Sequence, residues 1–397
     1  MKVLFVLDTY YPQYDGPASV VKNLATIMTQ KQLAQADLVV PHYPKYVDNE
    51  VFNVCRCPSI MGPDKYRIPM PGLSGKVRKL IKNGNYDVVH IHSPFSLGKY
   101  VSKLAKKYNI PIVTTLHTDY KSDFERKLKT KFLQNFMMKY IFKVMNMADV
   151  VCTVSNGAGK KMKEYGFKKD LKVIGNATDI VDNVDLSKQI KHLQKQHHLK
   201  GKTVFLFVGR VVENKNIQYS LNVLKALKEK NDNFVFLIIG KGNYVEKLKK
   251  MVSEFGLEDN VIFVGFVEHT MLLAYYKCAD MFLFPSTFDT CGLVVLEAGC
   301  LGTPSLLLKD SCASELVQDG VNGFVIEDDY IKWRDKILDI ISKKELLKQV
   351  SENCAKTLGV SWDKIVDEYV ELYKKVISKH KTKTRKTSKK VKIQSVN

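Results

Sequence analysis

The chain has 397 residues, of which 45% are hydrophobic and 26% are charged. This length allows two domains of ordinary size, and the composition is that of a folded globular protein, not a disordered one. No window approaches the apolar run of a transmembrane helix, and the apolar run that opens the chain is too short for a signal peptide. The 62 basic residues exceed the 41 acidic ones and give a net charge of +21. That excess favours a polyanionic partner, although solvated lysine-rich faces would produce it as well.

Eight cysteines are scattered among the predicted strands and helices. None has the paired spacing of a structural zinc site, so ordinary buried thiols in a reducing compartment are expected. We therefore expect a cytoplasmic protein.

The N-terminal half of the chain alternates short apolar runs with amphipathic stretches. The predicted strands are Lys2–Leu7, Asp37–Val40, Val51–Cys55, Val88–Ile91, Ile112–Leu116, Val150–Val154 and Lys172–Ile174. The predicted helices are Ala18–Gln30, Pro94–Lys107, Phe124–Asn146 and Asn156–Tyr165. Such alternation predicts a parallel sheet covered on both faces, within a first domain of residues 1–178.

This rhythm breaks at residues 179–202, a polar stretch that forms the predicted connector, and restarts in a second domain of residues 203–360. The second series comprises strands Val204–Val208, Phe234–Ile239, Val261–Val264, Met281–Phe284 and Ser305–Leu308 and helices Ile217–Glu229, Val245–Phe255, Thr270–Cys278 and Leu293–Cys300. Two such series predict an α/β protein of two Rossmann-like domains. Residues 361–378 form a last helix, expected to pack on the first domain, and the basic tail of residues 379–397 is expected to be disordered.

Ligands of open parallel sheets bind beyond the carboxyl ends of the strands, so functional residues are sought in the loops that follow strands. Gly16 lies in the loop between the first strand and the first helix. A glycine there lets the backbone approach a ligand, and the amino end of the helix favours an anion. A plain turn explains the same residue equally well.

The loop after the first strand of the second domain carries two cations. Arg210 stands at the end of the strand, and Lys215 lies five residues further on, near the next helix. A guanidinium and an ammonium that converge at the amino end of a helix would hold a diphosphate. Two solvated cations are the alternative in so basic a chain.

The strongest signal follows the fourth strand of the second domain. Asp289 lies in the loop before a helix, where its carboxylate can accept hydrogen bonds from sugar hydroxyls. The backbone N–H groups that suit phosphate oxygens at the start of this helix are those of Gly292, Leu293 and Val294. Glu297 lies on the second turn, where an acid is costly without a partner and a ribose hydroxyl pair would supply one.

Three histidines lie at strand ends of the first domain. His90 and His92 share one face of a strand, and His117 ends another. Further ligands at a fitting spacing are missing, so no metal site is predicted. A packed or hydrogen-bonded histidine is the simplest explanation of His90, whereas His117 is the better candidate for a functional role.

Together these residues resemble the family-4 retaining glycosyltransferases, and the resemblance covers nearly the whole chain. The family's Gly-Arg pair and its Glu-Lys-Asn motif are similar to Gly209-Arg210 and to the run from Glu213 to Asn216, which has one extra residue.

The family's acidic pair, which encloses Phe-Gly-Leu-Val, is similar to the stretch from Asp289 to Glu297. Aspartate replaces the usual glutamate at position 289, and Cys291 replaces the usual phenylalanine. A shorter carboxylate leaves the identity of the donor sugar open. The family's histidine is similar to His117, and its Asn-Gly-x-Asp hinge is only loosely similar to Asn176–Asp179.

The resemblance implies the GT-B fold, in which two Rossmann-like domains face each other. It implies that the first domain holds the acceptor and the second the nucleotide sugar, and that the hexose is transferred with retention and without a metal or another cofactor. Arg210, Lys215 and the helix end near Gly292 would stabilise the leaving diphosphate. His117 would orient the transferring sugar or the acceptor hydroxyl.

The stretch from residue 121 to residue 147 has seven basic and two acidic residues. An apolar row repeats there every four residues through Leu128, Phe132, Phe136, Tyr140 and Val144. Beside it runs a basic row formed by Lys127, Lys131, Lys139 and Lys143. These rows are typical of an interfacial helix on an anionic membrane, although a helix with its apolar row in the core would show them too. The stretch resembles the same region of bacterial diacylglycerol glucosyltransferases, which take a lipid acceptor and lie at the inner face of the cell membrane.

Three other functions are alternatives to a glycolipid glycosyltransferase. A nucleic-acid binder is disfavoured because no RRM, KH or zinc signature is present. A dehydrogenase is disfavoured because neither domain opens with the glycine pattern of dinucleotide-binding folds. A glycosyltransferase of polysaccharide or envelope-glycan assembly, with a soluble or polyprenyl-linked acceptor, stays the main alternative to a glycolipid enzyme.

Overall fold

A computed structural model describes residues 1–13, 15–62, 66–73, 75–178, 180 and 185–394. Within them the chain forms two compact units, one of residues 1–176 with the chain from Trp362 onward, the other of residues 177–361. Asp179, residues 181–184 of the predicted connector and the last three residues of the predicted tail lie outside the described residues.

Unit 1, the first of these, contains strands β1–β9, helices α1–α6 and the last helix, α14. Its strands are β1 (Lys2–Val6), β2 (Gln35–Pro41), β3 (Asn53–Cys57), β4 (Ser59–Met61), β5 (Arg67–Pro69), β6 (Val88–Ile91), β7 (Ile112–Leu116), β8 (Val150–Thr153) and β9 (Leu171–Val173). Its helices are α1 (Gly16–Gln30), α2 (Gly75–Asn83), α3 (Ser96–Lys107), α4 (Tyr120–Lys127), α5 (Lys131–Met145), α6 (Asn156–Glu164) and α14 (Trp362–Gln394).

The main sheet of unit 1 has the strand order β3-β2-β1-β6-β7-β8-β9 among the described residues, and its neighbouring strands pair in parallel. β1, β6 and β7 are almost continuously buried runs, as expected of parallel strands covered on both faces. The short strands β4 and β5, which the sequence pattern did not predict, form an antiparallel hairpin.

Unit 2 contains strands β10–β15 and helices α7–α13. Its strands are β10 (Thr203–Val208), β11 (Phe234–Ile239), β12 (Val261–Gly265), β13 (Met281–Phe284), β14 (Ser305–Leu308) and β15 (Phe324–Ile326). Its helices are α7 (Ser187–Gln196), α8 (Ile217–Lys228), α9 (Val245–Glu254), α10 (His269–Cys278), α11 (Leu293–Cys300), α12 (Tyr330–Ser342) and α13 (Lys344–Leu358). The sheet order β12-β11-β10-β13-β14-β15 is again parallel across the described strands. The prediction of two Rossmann-like domains with parallel sheets is thereby confirmed.

Helix α14 packs on unit 1 through a buried face that includes Tyr369 and Tyr373, and Asp363 at its start pairs with Lys31 of α1 at 2.7 Å. Its backbone continues as a helix to Gln394, where the sequence composition predicted a disordered tail. The physical reason is that lysine has a high helix propensity, and a helix that is already anchored extends without a new nucleation step.

Candidate active site

The chain order in each sheet reverses at one point, and the predicted site residues lie in the loops beside it. In unit 2 the reversal falls between β10 and β13, whose following loops carry Arg210 and Asp289. In unit 1 it falls between β1 and β6, next to β7 and the residue after it, His117. Such reversal points are where open parallel sheets bind ligands.

The loop after β10 presents Arg210 to solvent. The side chain of Arg210 is exposed and forms no ion pair with any described residue. The loop is held close to the loop after β11, because a Cβ atom on Gly240 would lie 1.8 Å from the carbonyl oxygen of Gly209. Gly240 also has a φ of +135°, so both its space and its backbone conformation favour glycine.

Lys215 and Asp289, predicted separately from two loops, lie together. The Lys215 ammonium donates to Asp289 Oδ1 at 2.5 Å, and the Ser286 hydroxyl donates to Asp289 Oδ2 at 2.5 Å. The side chains of Lys215 and Asp289 are only 14% and 20% exposed, respectively. Asp289 therefore holds the ammonium in place. The sequence did not reveal this role, because the prediction was that this carboxylate accepts hydrogen bonds from sugar hydroxyls.

Helix α11 begins directly after Gly292, which has a φ of +74° and provides no side chain to cap the helix. A Cβ atom there would lie 2.8 Å from Cβ of Ala313, so the position requires glycine. The first N–H groups of a helix, here near Leu293 and Val294, have no partner within the helix. This end of α11 can therefore bind phosphate oxygens.

Glu297 has a partner within the protein. The hydroxyl of Tyr276, a fully buried residue of α10, donates to Glu297 Oε2 at 2.8 Å. Burial and the nearby carboxylate raise the pKa of the Tyr276 phenol well above its usual value, so it stays a donor. The bond fixes the orientation of the half-buried carboxylate on the helix that Gly292 opens.

Three histidines lie close together at the ends of β6 and β7 in unit 1, and two of them share a hydrogen bond. His92 Nδ1 lies 2.8 Å from His117 Nε2. His90 bonds instead to the Thr115 hydroxyl through Nε2 at 2.8 Å and to the Tyr373 hydroxyl through Nδ1 at 2.6 Å. Burial lowers the pKa of His117 to about 4 and holds those of His90 and His92 well below the usual value. All three are therefore neutral at pH 7.

The amino end of α1 carries its own cap. Asp15 accepts a hydrogen bond from the Ala18 amide at 2.8 Å and another from the Thr9 hydroxyl at 2.6 Å. Gly16 is the exposed first residue of the helix. The Asp15 carboxylate therefore caps this end of the helix, as expected if Gly16 belongs to a plain turn between β1 and α1.

A buried carboxyl that the sequence analysis did not single out lies at the end of β1. Asp8 Oδ1 accepts from the Leu97 amide at the start of α3 at 3.0 Å, and Oδ2 is buried without a partner among the described residues. Burial raises the pKa of Asp8 to about 7. A lone aspartate after a strand gives no sequence signal of such an environment.

The predicted helix over Phe124–Asn146 is wrong as a single element. α4 ends at Lys127, and α5 begins at Lys131 after Thr130, whose hydroxyl accepts from the Leu133 amide. Threonine is a good helix cap, which explains the break. Lys127 consequently belongs to α4 and pairs with Asp123 at 2.8 Å, apart from the lysines of α5.

Helix α5 exposes its first half and buries its second. Phe132 is 82% exposed and Phe136 is 56% exposed, whereas Val144 in the same apolar row is buried. The exposed lysines of this helix are Lys131, Lys139 and Lys143. The core interpretation thus holds for the end of the row, whereas Phe132 and Phe136 expose apolar surface among lysines.

Two kinds of feature are absent from the part of the chain that the structure describes. No helix there is both long and apolar enough to span a membrane. No cluster of three or more His, Cys, Asp or Glu side chains there could hold a metal ion.

Comparisons with known proteins cover both units. The model described as Glycosyltransferase Family 4 matches residues 14–181, and the model described as Glycosyl transferases group 1 matches residues 188–357. The alpha-monoglucosyldiacylglycerol synthase of Acholeplasma laidlawii is 28% identical over 379 residues, which cover 89% of this chain and 91% of that protein. The protein of the same name from Streptococcus pneumoniae is 26% identical over 336 residues, which cover 81% of this chain and 74% of that protein.

The fold is also that of solved structures. HepE of Anabaena, crystallised in complex with UDP, superposes with a TM-score of 0.74 at 18% identity and covers 94% of this chain and 100% of its own. At this identity the likeness shows the fold alone.

Proposed function

The chain belongs to the family-4 glycosyltransferases of GT-B fold, and on that premise we propose that it transfers glucose from UDP-glucose to diacylglycerol at an anionic membrane surface. The transfer retains the configuration at the anomeric carbon and uses neither a metal nor another cofactor. The observation that carries the proposal is the charged group of unit 2, where Lys215, Asp289 and the open end of α11 occupy the loops at the sheet reversal.

The chemistry of this group suits a diphosphate leaving group. As the bond from the sugar to the diphosphate breaks, negative charge develops on the phosphate oxygens. The exposed guanidinium of Arg210 and the ammonium of Lys215 can stabilise that charge without a metal ion. The ion pair with Asp289 orients the ammonium before the donor arrives, so little reorganisation is needed in the transition state.

Glu297 supports a nucleoside next to this diphosphate. Its carboxylate is oriented by Tyr276 and lies on the second turn of the helix whose first N–H groups suit the phosphates. A carboxylate accepts hydrogen bonds from two neighbouring hydroxyls, as a ribose presents them. UDP is the nucleotide proposed because the solved neighbour HepE was crystallised with it.

The lipid acceptor rests on unit 1 and on the relatives. Phe132 and Phe136 expose apolar surface on α5 beside Lys131 and Lys139, which suits the boundary between lipid headgroups and acyl chains. Two relatives that span most of this chain are named alpha-monoglucosyldiacylglycerol synthases. His117 would bind the transferring sugar or the acceptor hydroxyl, and the enzyme would be attached peripherally at the cytoplasmic face.

A donor panel tests the proposal. UDP-glucose, UDP-galactose, UDP-N-acetylglucosamine and GDP-mannose, each radiolabelled, are incubated with mixed micelles of diacylglycerol and anionic lipid, with and without EDTA. We expect label from UDP-glucose to enter the lipid phase as an α-glucoside, undiminished by EDTA. Transfer only to a soluble or polyprenyl-linked acceptor would overturn the lipid assignment, and a β-product would overturn retention.

A further inference from the structure

Two histidines of unit 1 meet nitrogen to nitrogen, and we propose that His92 is a positioning residue for His117. In this proposal His92 donates its Nδ1–H to His117 Nε2, so that the proton of His117 stays on Nδ1 and the ring is a hydrogen-bond donor at that atom. The inference rests on the proposed function for the role of His117, but the arrangement of protons can be measured independently of it.

The geometry is that of a direct hydrogen bond. His92 Nδ1 and His117 Nε2 are 2.8 Å apart, and the ring planes differ by only 12°. The ring centroids are 5.1 Å apart. This separation is too large for one ring to lie over the other, so the two nitrogens point at each other along the line that joins the rings.

The surroundings of His92 decide which ring donates. His92 is 1% exposed, and its Nε2 atom is buried without a hydrogen-bond partner among the described residues. If His117 donated, the only proton of the neutral His92 ring would lie on this Nε2 as a buried N–H without an acceptor. Orphaned N–H groups are rarer in protein interiors than under-used acceptors. His92 therefore carries its proton on Nδ1 and donates it.

The ring of His92 is a rigid support. It packs against the His90 ring at a centroid distance of 3.9 Å and against the Phe5 ring at 5.8 Å. His90 is itself fixed by the hydroxyls of Thr115 and Tyr373. His117 follows the end of β7 and is half-buried, so a bond to this support restricts its ring to one orientation.

The consequence for His117 is a defined chemical role. With Nε2 occupied as an acceptor, the ring offers a donor on Nδ1 and no second acceptor. Under the proposed function, a ring protonated in this way donates to an oxygen, such as that of a sugar hydroxyl, and does not serve as a general base. Burial, which lowers the pKa of both rings, keeps this arrangement neutral at physiological pH.

The proton positions can be read directly by NMR. A long-range ¹H–¹⁵N correlation spectrum of the full chain, labelled with [¹⁵N]histidine, distinguishes the two neutral forms of each ring at pH 7.5. The His117 signals are assigned by their loss in His117→Asn. We expect a protonated Nδ1 and a bare Nε2 for His117, and the opposite pattern in the unaltered chain would overturn the proposal.

Variants at residue 92 add a functional measurement. His92→Asn offers an amide N–H near the place of Nδ1 and should keep both the His117 proton on Nδ1 and kcat within about threefold. His92→Asp offers only acceptors there, so it should move the proton to Nε2 and lower kcat by roughly 10- to 100-fold, the scale of a supporting bond to a functional histidine. The KM for the nucleotide sugar should change little in either.

His90→Gln is the matched control, since His90 is equally buried beside His92 but bonds to Thr115 and Tyr373. It should leave the His117 spectrum unchanged. If His92→Asn lowers kcat as far as His92→Asp while the spectrum stays that of the parent, His92 is a packing residue and the inference fails. If no sugar is transferred but the proton follows residue 92 as described, the proposed function fails and the inference stands.

Discussion

The two units present opposite kinds of polar group at their sheet reversals. Unit 2 offers charges: Arg210 is exposed to solvent, and Lys215 with Asp289 forms an ion pair. Unit 1 offers groups of low charge: His92 and His117 form a hydrogen-bonded pair of uncharged rings, and burial raises the pKa of the Asp8 carboxyl to about 7, so that it is partly protonated at pH 7.

This difference divides the chemistry of a glycosyl transfer in two. A diphosphate that leaves with growing negative charge needs fixed positive groups. Sugar and glycerol hydroxyls need donors and acceptors of defined direction, and a neutral buried network supplies these without attracting free phosphate. Variants that remove charge from unit 2 should therefore act on turnover and donor affinity. Variants in unit 1 should act on turnover through the orientation of His117, on stability and on the lipid surface.

The largest effect is expected from the cations of unit 2. Arg210→Ala and Lys215→Ala should each lower kcat by roughly 100- to 1000-fold, the usual loss of one transition-state electrostatic contact. Arg210 is exposed in a loop, so its replacement should change thermal unfolding little, whereas Lys215→Ala leaves Asp289 without the ammonium with which it pairs. Lys249→Ala is the matched control, because this exposed lysine of α9 pairs only with Glu246 among the described ion pairs. Near-parental turnover in both variants would remove the diphosphate group from the proposed site.

The next effect should appear in the stability of unit 1. The pKa of Asp8 is raised from 3.8 to about 7, so the folded state binds the proton more tightly than the unfolded chain does. Its favourable contribution is therefore complete below about pH 4 and is lost as pH rises through about 7. Asp8→Asn removes this dependence, and its stability relative to the parent should grow by a few kcal/mol from pH 4 to pH 8, since each pKa unit corresponds to about 1.4 kcal/mol.

Hydrogen exchange measures this locally. The protection of amides of β1 and β6 in Asp8→Asn relative to the parent should be larger at pH 8 than at pH 4, after correction for intrinsic exchange, while amides of β11 in unit 2 serve as the internal reference. The buried neutral histidines change the stability of unit 1 with pH in the opposite direction. Their folded pKa values are lowered, so they destabilise unit 1 as pH falls below about 6.5 in parent and variant alike. A stability difference that stays constant with pH would show that Asp8 is ionised in the folded state.

A loss of donor affinity is expected at Glu297. Glu297→Gln should weaken binding of the nucleotide sugar by about tenfold, because a neutral amide oxygen is a weaker acceptor than a carboxylate. Tyr276→Phe removes only the bond that orients the carboxylate and should cost less. Isothermal titration with the nucleotide sugar measures both. If Glu297→Gln lowers the melting temperature and leaves donor affinity unchanged, the residue is structural.

Much of the fold was predictable because buried parallel strands are short, continuous apolar runs. The bounds predicted for Val88–Ile91 and Ile112–Leu116 equal those of β6 and β7. The break between α4 and α5 was not predicted, because the apolar row continues across it. The break arises where the Thr130 side chain caps the start of α5. The hairpin β4–β5 has no clear alternating pattern and was missed for that reason.

The candidate site was predictable residue by residue but not as a set of contacts. Arg210, Lys215, Asp289 and Glu297 were singled out because motifs place them after strands, and their roles stay predictions. The pairing of Lys215 with Asp289 and of Tyr276 with Glu297 was not predictable, because the members of these pairs are 74 and 21 positions apart and meet only in the folded chain. The bond between His92 and His117 joins residues 25 positions apart that directly follow the neighbouring strands β6 and β7, which no local pattern encodes.

The smallest effect per residue concerns the lysines of α5. Lys131, Lys139 and Lys143 are exposed on the helix that carries Phe132 and Phe136. A lysine close to an anionic bilayer contributes about 1 kcal/mol, so each change to glutamine should lower vesicle affinity by roughly fivefold. Lys127→Gln should have less effect, because Lys127 lies on α4 and already pairs with Asp123.

Co-sedimentation with vesicles separates this electrostatic attraction from its alternatives. Binding should require anionic lipid and weaken as salt rises, because the attraction fades over roughly 8 Å at physiological ionic strength. Truncation after Ser378 must be tested alongside, since the basic end of α14 can share the attraction, and hydrolysis of the donor without acceptor should persist in every variant. If the triple glutamine variant and the truncated chain bind like the parent, electrostatic docking through these lysines is wrong. If the parent does not bind anionic vesicles, unit 1 no longer supports a lipid acceptor. The two units would then differ only in that unit 2 binds through charges and unit 1 binds a soluble acceptor through hydrogen bonds.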